Sequence, residues 1–345
     1  MKALKITTFL CAVLGAFFTS VSAQWIKQTV NTTASFRGLS VVNEKVVWAS
    51  GTGGTVIRTI DGGKTWNVIT VPGAEKLDFR DIEAFDANTA YILSIGNGES
   101  SRIYRTANGG KTWNLQFKNT NEKAFFDAIE CWSRNNCVAM SDPVDGKFLL
   151  VEGLITLIGA PGFPFQEFSS KKMPDAKPGE AAFAASGTCL IAHRGGQFLV
   201  TGGTDARVFR HIINYDGDIW EVSDTPIVKG TPGSGIFSIA MFDNNSGVIV
   251  GGNYEKPDEA KNNLAFTTDE GKTWTLGTGL TGYRSGVTYV DKTTIIAVGT
   301  NGSDITRDGG KTWKKAGDEN LNAVQAKGKR AVWAVGPKGM VVKMK

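Results

Sequence analysis

Histidine occurs only twice, as His193 and His211, and cysteine four times. So few soft ligands cannot assemble a zinc-type cluster, and no metal site is expected. Dinucleotide fingerprints and haem-attachment motifs are missing as well, so no cofactor is expected and redox chemistry recedes. Proline is scarce, at 10 residues against 42 glycines, a balance that suits many tight turns rather than a disordered polymer. A strong charge of one sign is also lacking: 38 basic and 33 acidic residues leave a net charge of +5. That is too weak a bias to argue for nucleic acid.

The apolar run Phe9 to Phe18 is too short for a comfortable membrane span, and polar sequence follows it at once. Lys2 and Lys5 precede it, and Val21-Ser22-Ala23 resembles a small-residue cleavage site. Residues 1–23 therefore read as a secretory signal peptide, and the protein is expected to be exported, to a periplasm or out of the cell. Removing Lys2 and Lys5 takes the net charge from +5 to +3. Cys11 leaves with that segment, so Cys131, Cys137 and Cys189 remain. Cys131 and Cys137 bracket the polar turn "WSRNN" between two apolar runs. Outside the cytoplasm this allows a disulfide clipping a β-hairpin, with two unpaired buried thiols as the other outcome. Cys189 reads as a small buried apolar residue.

What the chain has in excess is a phrase. "TIDGGKTW" at 59–66, "TANGGKTW" at 106–113, "TTDEGKTW" at 267–274 and "TRDGGKTW" at 306–313 are near copies, each between short apolar alternations. They read as strand, tight turn, strand. Asp61, Asn108, Asp269 and Asp308 supply a short acceptor for the backbone N–H groups of the turn. Gly63, Gly110, Gly271 and Gly310 supply a positive φ. Trp66, Trp113, Trp274 and Trp313 open the next strand and offer a large flat face to a neighbouring unit. These are structural duties, and neither catalysis nor calcium binding is needed to explain the aspartates.

Upstream of each turn lies a further hairpin, for example "FRGLSVV" from 36 with "VVWASG" at 46–51, and "YRSGVTY" from 283 with "TIIAVG" at 294–299. A weaker unit has "AAFAASG" at 181–187 as its first strand, "QFLVTGG" at 197–203 as its second and a degraded turn in "INYDGDIW" at 213–220. Turn tryptophans stand at 66, 113, 220, 274 and 313, and in the third unit "FPFQEF" near 165 occupies their slot. Four strands recurring every 40 to 55 residues are the arithmetic of a β-propeller. The expected fold is all-β: a single seven-bladed β-propeller of four-stranded blades over residues 24–345. Its last unit lacks a fourth strand, and "QWIKQTV" at the start of the mature chain, with Trp25, would close the ring.

The turn pattern is that of the Asp-box, or BNR repeat. With its spacing, its exported start and runs such as "AMSDPVDGKF", the chain most resembles the photosystem II stability/assembly factor-like family of small propellers. The resemblance covers essentially all of residues 24–345. It implies a non-catalytic assembly factor that binds a protein or peptide, such as a subunit of a membrane complex, through a propeller face bearing arginines; a monomer is expected. Aligning the first strand of each unit puts Arg37, Arg80, Asp127, Phe237, Arg284 and Asn322 in one column. Arg284, Asn322, Arg37 and Arg80 would form one arc of a closed ring. The loops joining second and third strands open on the same face and include Asp142 in "SDPVDG" and the long "GGNYEKPDEAKNN". Partner binding and hydrogen bonding to the next blade both suit the arginines, and Asp142 also suits a simple turn.

The alternative is a glycoside hydrolase of sialidase type. Such an enzyme would have an early Arg-Ile-Pro run, three arginines clamping a carboxylate, and a tyrosine nucleophile paired with a glutamate. Here the run is "FRGL", Tyr283 adjoins Arg284, and the sequence assigns no glutamate to it.

Overall fold

The computed structural model describes residues 25–154, 165–167, 173–193, 196–214 and 217–345. The segment read as an export signal, residues 1–23 with Cys11, lies outside the described residues. Seven antiparallel four-stranded blades follow in chain order around a ring. Blade 1 comprises Phe36–Val41, Val47–Gly51, Thr55–Thr59 and Asn67–Thr70. Blade 2 runs from Phe79–Ala84 to Asn114–Lys118, blade 3 from Phe126–Ser133 to Gln166–Glu167, and blade 4 from Leu190–His193 to Gly217–Asp224. Blade 5 runs from Ser234–Met241 to Thr275–Leu276, and blade 6 from Gly286–Tyr289 to Lys314–Gly317. Blade 7 has Ala323–Ala326, Val332–Val335 and Val341–Met344, and its fourth strand is Trp25–Lys27.

Middle strands are covered on both sides by neighbouring blades, which explains why Val47–Gly51, Ala90–Ser94 and Ile295–Gly299 are buried at every position. Outer strands face solvent, and Asn67–Thr70 is largely exposed. Apolar clusters fill the seams between blades: Trp48 meets Ile82 and Ile92, Phe148 meets Phe209, and Phe36 meets Trp333 and Val335 across the point of closure. There Trp25 pairs with Met344, and its indole N–H donates to Ser303 Oγ at 2.9 Å.

The four repeated turns work alike. In blade 1 the Thr65 amide donates to Asp61 Oδ1 at 3.0 Å and its hydroxyl to Oδ2 at 2.6 Å, while the Gly63 amide donates to Thr59 Oγ1 at 2.9 Å. These donors hold the Asp61, Asp269 and Asp308 carboxyls down at about 2. The second glycine has an additional duty. A Cβ on Gly63, Gly110, Gly271 or Gly310 would come within 2.5, 2.5, 2.9 and 2.2 Å of Trp333, Ile69, Phe198 and Phe266. Each of those side chains belongs to the preceding blade, so the turn seats itself on its neighbour as well as folding its own hairpin.

One expectation is corrected. Residues 181–187 are not the first strand of blade 4, whose innermost strand is Leu190–His193. Only Glu180–Ala181 is a strand, paired with Gly202–Gly203, and through Gly202 and Gly235 it is tied to the sheet of blade 5. The small apolar alternation of "AAFAASG" looks like a strand. Its polar backbone instead finds partners on several blades, because the segment crosses the mouth of the ring.

Candidate functional site

The crossing segment, residues 173–188, is a strap. Its start is stapled to blade 4 by a buried ion pair, with Arg207 Nε 3.0 Å from Glu180 Oε1, and Arg207 also donates to the Asp175 carbonyl at 2.9 Å. From there it touches blade after blade. The Ala182 amide donates to Asp142 Oδ1 of blade 3 at 2.8 Å. Arg80 of blade 2 donates to the Ala184 carbonyl at 3.4 Å, and Arg37 of blade 1 to the Ala185 carbonyl at 3.3 Å. Ser186 Oγ donates to the Ser285 carbonyl beside blade 6 at 2.7 Å, and Thr188 Oγ1 lies 2.6 Å from Ser238 Oγ of blade 5. The alanine-rich composition keeps this crossing low. Above it opens a cavity of about 970 Å³ lined by Arg37, Arg80, Asp127, Asp142, Asn322 and the strap itself.

One wall of the cavity is aromatic. Phe183 of the strap stacks on Phe237 with centroids 3.9 Å apart, and Tyr283 and Tyr254 meet Phe237 edge-on at 4.7 and 6.3 Å. Tyr254, from the long loop 251–263, is 49% exposed. Beside it the lining is charged. Arg80 Nε is 2.8 Å from Asp78 Oδ2. Burial, and next the like charge of Arg80, push the Arg37 guanidinium below its ordinary value. Among the described residues no carboxylate lies within ion-pair distance of Arg37.

The two aspartates sit together on blade 3. Asp127 is 1% exposed, and its Oδ2 has no hydrogen-bond partner. Burial, followed by the nearby Asp142, raises the Asp127 carboxyl well above its usual range. Burial also pushes Asp142 up to about 6, although the Ala182 amide opposes the shift. Among the described residues no three His, Cys, Asp or Glu side chains are placed to hold a metal ion.

The arginine column divides. Arg37 and Arg80 face the cavity together with Asp127, Asp142 and Asn322, although Asn322 Nδ2 is committed to the Phe36 carbonyl at 2.8 Å. Arg284 does not join them, which corrects its assignment to the partner-binding arc. It is 0% exposed, its Nε lies 2.8 Å from Asp304 Oδ2, and it also donates to Thr281 Oγ1, Asn301 Oδ1 and the Tyr283 carbonyl. Three arginines therefore do not converge on one point. Tyr283 is 3% exposed, and burial raises its phenol further above the ordinary value, opposite to what a nucleophile needs. Cys131 and Cys137, cross-strand partners with Cα atoms 4.0 Å apart, form a disulfide, and Cys189 is a free buried thiol.

Sequence reasoning missed the aromatic wall. Phe237 stands in the right column and the long insertion with Tyr254 on the right face, but the sequence places Phe183 in a strand and singles out neither Phe183 nor Tyr254. The length of that insertion was the available signal.

Residues 18–116 match a family model described as Photosynthesis system II assembly factor YCF48. Among solved structures, one described as YCF48 bound to D1 peptide aligns with a TM-score of 0.65 and 16% identity, over 93% of this chain and 96% of that one. YCF48 from Cyanidioschyzon merolae aligns with a TM-score of 0.61 and 16% identity, over 93% and 98%. The extracellular domain of the putative hybrid two component system BT4673 from B. thetaiotaomicron gives 0.61 and 10%, over 93% of this chain and 39% of that one. No curated protein matches the chain closely enough to count.

Proposed function

We propose that this chain, a photosystem II assembly factor-like BNR propeller, is a non-catalytic scaffold that binds an extended segment of a partner protein in the cavity above its strap. One observation favours this above others. Arg37 and Arg80 are held side by side by strap carbonyls, next to an aromatic wall, in a cavity open at one face of the ring. Guanidinium forks suit backbone carbonyls and carboxylates, and exposed aromatic faces suit apolar side chains, so the combination fits a peptide better than a sugar. The similar structure described as bound to a D1 peptide supports a peptide as the ligand class.

Export follows from the reading of residues 1–23, and the Cys131–Cys137 disulfide fits an oxidising compartment. The partner is then an envelope or membrane-complex protein during its assembly, and the propeller acts as a monomer. A photo-crosslinking residue in place of Tyr254 tests the reading. The expected result is a discrete crosslinked partner peptide that disappears when Arg37→Gln and Arg80→Gln are added. Crosslinks unchanged by those substitutions, or turnover of a fluorogenic glycoside, would overturn it.

A further inference from the structure

The charged groups of the cavity do not all need a ligand. Arg80 is paired with Asp78, Lys123 with Asp145, Lys177 with Asp205, and Glu180 with Arg207. Two features have no ion pair of their own: Arg37, which donates to the Ala185 carbonyl at 3.3 Å, and the Asp127–Asp142 pair, in which Asp127 Oδ2 is buried and without a hydrogen-bond partner. A guanidinium with spare N–H groups attracts a carboxylate. Two adjacent carboxyls, one with an unused oxygen, attract a cation. Resting on the peptide-binding reading, we propose that the cavity selects a segment bearing opposite charges: a carboxylate for Arg37 and a lysine, arginine or free amine for Asp127–Asp142, with an apolar side chain against Phe183, Phe237 and Tyr254. No single-charge ligand complements both features.

The empty pair sidesteps its own repulsion by retaining a proton, and an incoming cation displaces that proton. Facing the pair are Arg80 from blade 2, the Cys189 thiol at the foot of blade 4, and the amides of Ala182 and Ala184 from the strap. Arg80 is already held by Asp78, which leaves the ligand's cation as the group that responds when the carboxyls ionise. Binding of a basic segment therefore strengthens as pH rises and the pair gives up its proton.

The test uses capped pentapeptides with a central phenylalanine, lysine or norleucine on one side and glutamate or glutamine on the other, in both orders, titrated calorimetrically. Against the unaltered protein, norleucine for lysine is expected to weaken binding about tenfold or more. Against Asp127→Asn and Asp142→Asn, each of which keeps an acceptor oxygen, the same exchange should cost less than about twofold, the signature of a coupled pair. The unaltered protein alone gives a second readout: the lysine peptide gains affinity between pH 5 and pH 8, and the norleucine peptide does not. If glutamine for glutamate weakens binding but norleucine and lysine bind equally, the acidic subsite is overturned while peptide binding stands. If none of the peptides binds, both readings fall together.

Discussion

A repeated arginine means different things on different blades, and what decides is the side chain opposite it. Arg284 faces Asp304, an acidic residue in the wholly buried third strand "GSDIT" of blade 6, and the two are fully buried together. Blades 1 and 2 have no such residue: their third strands read "TVIRT" and "RIYRT", so Arg37 and Arg80 turn to the strap and the cavity. The column was legible in the sequence. Its division was not, because a partner 20 residues downstream can be recognised only once both strands are aligned on one blade. Arg284→Ala would leave Asp304 charged and unpaired in the interior, a change that costs roughly 3–5 kcal/mol. Denaturant unfolding should show that loss, and the fraction still folded should bind peptide as the unaltered protein does. A selective loss of binding with stability unchanged would return Arg284 to the ligand site.

At the scale of the element, the repeated turn is where sequence and structure agree in most detail. Its aspartate, glycine and tryptophan have the duties their chemistry suggests, and blade 2 supplies a natural variant. Asn108 replaces the aspartate there, accepts from the Thr112 amide at 3.0 Å, and donates through Nδ2 to the Thr112 hydroxyl at 2.8 Å. The turn therefore tolerates a neutral amide. The acidic copies are depressed to about 2, below the ordinary carboxylate value, so the unfolded chain takes up protons before the folded one does. Their contribution is complete above about pH 4 and is lost as pH falls toward 2. Changing Asp61, Asp269 and Asp308 together to Asn should leave the Tm at pH 7 within about 2–4 °C and flatten its decline between pH 4 and pH 2. An unchanged acid profile would assign the acid sensitivity to other carboxylates. By contrast, the strap was misread from the same kind of local pattern. Alternating small residues are consistent with a strand, and the bonds to Asp142, Arg80, Arg37 and Ser285 that draw the segment across the ring are all long-range.

For the molecule as a whole, the governing fact is that a ring must close, and the count of seven blades was legible because the four-strand spacing recurs even in units where the turn is degraded or lacking. Closure was legible for a different reason: the last unit lacks an outer strand and the first residues supply one. Trp25–Lys27 completes blade 7 against Val341–Met344, the Trp25 indole reaches Ser303 of blade 6, and Gly63 of blade 1 packs on Trp333 of blade 7. The strand is only three residues long, yet without it Val341–Met344 would be an open edge at the seam between the first and last blades. A chain beginning at Gln28 should therefore lose on the order of 2–3 kcal/mol, mostly from the half-buried Trp25 and the lost ladder. It should also associate as concentration rises, which light scattering after gel filtration would detect, whereas Trp25→Ala in the full-length chain should lower stability without association. If the truncated chain were as stable and as monomeric as the intact one, the interlocked turns alone would hold the ring. Because the Arg37 blade adjoins that seam, loosening it should also weaken peptide binding in the cavity, linking the end of the chain to the site at its centre.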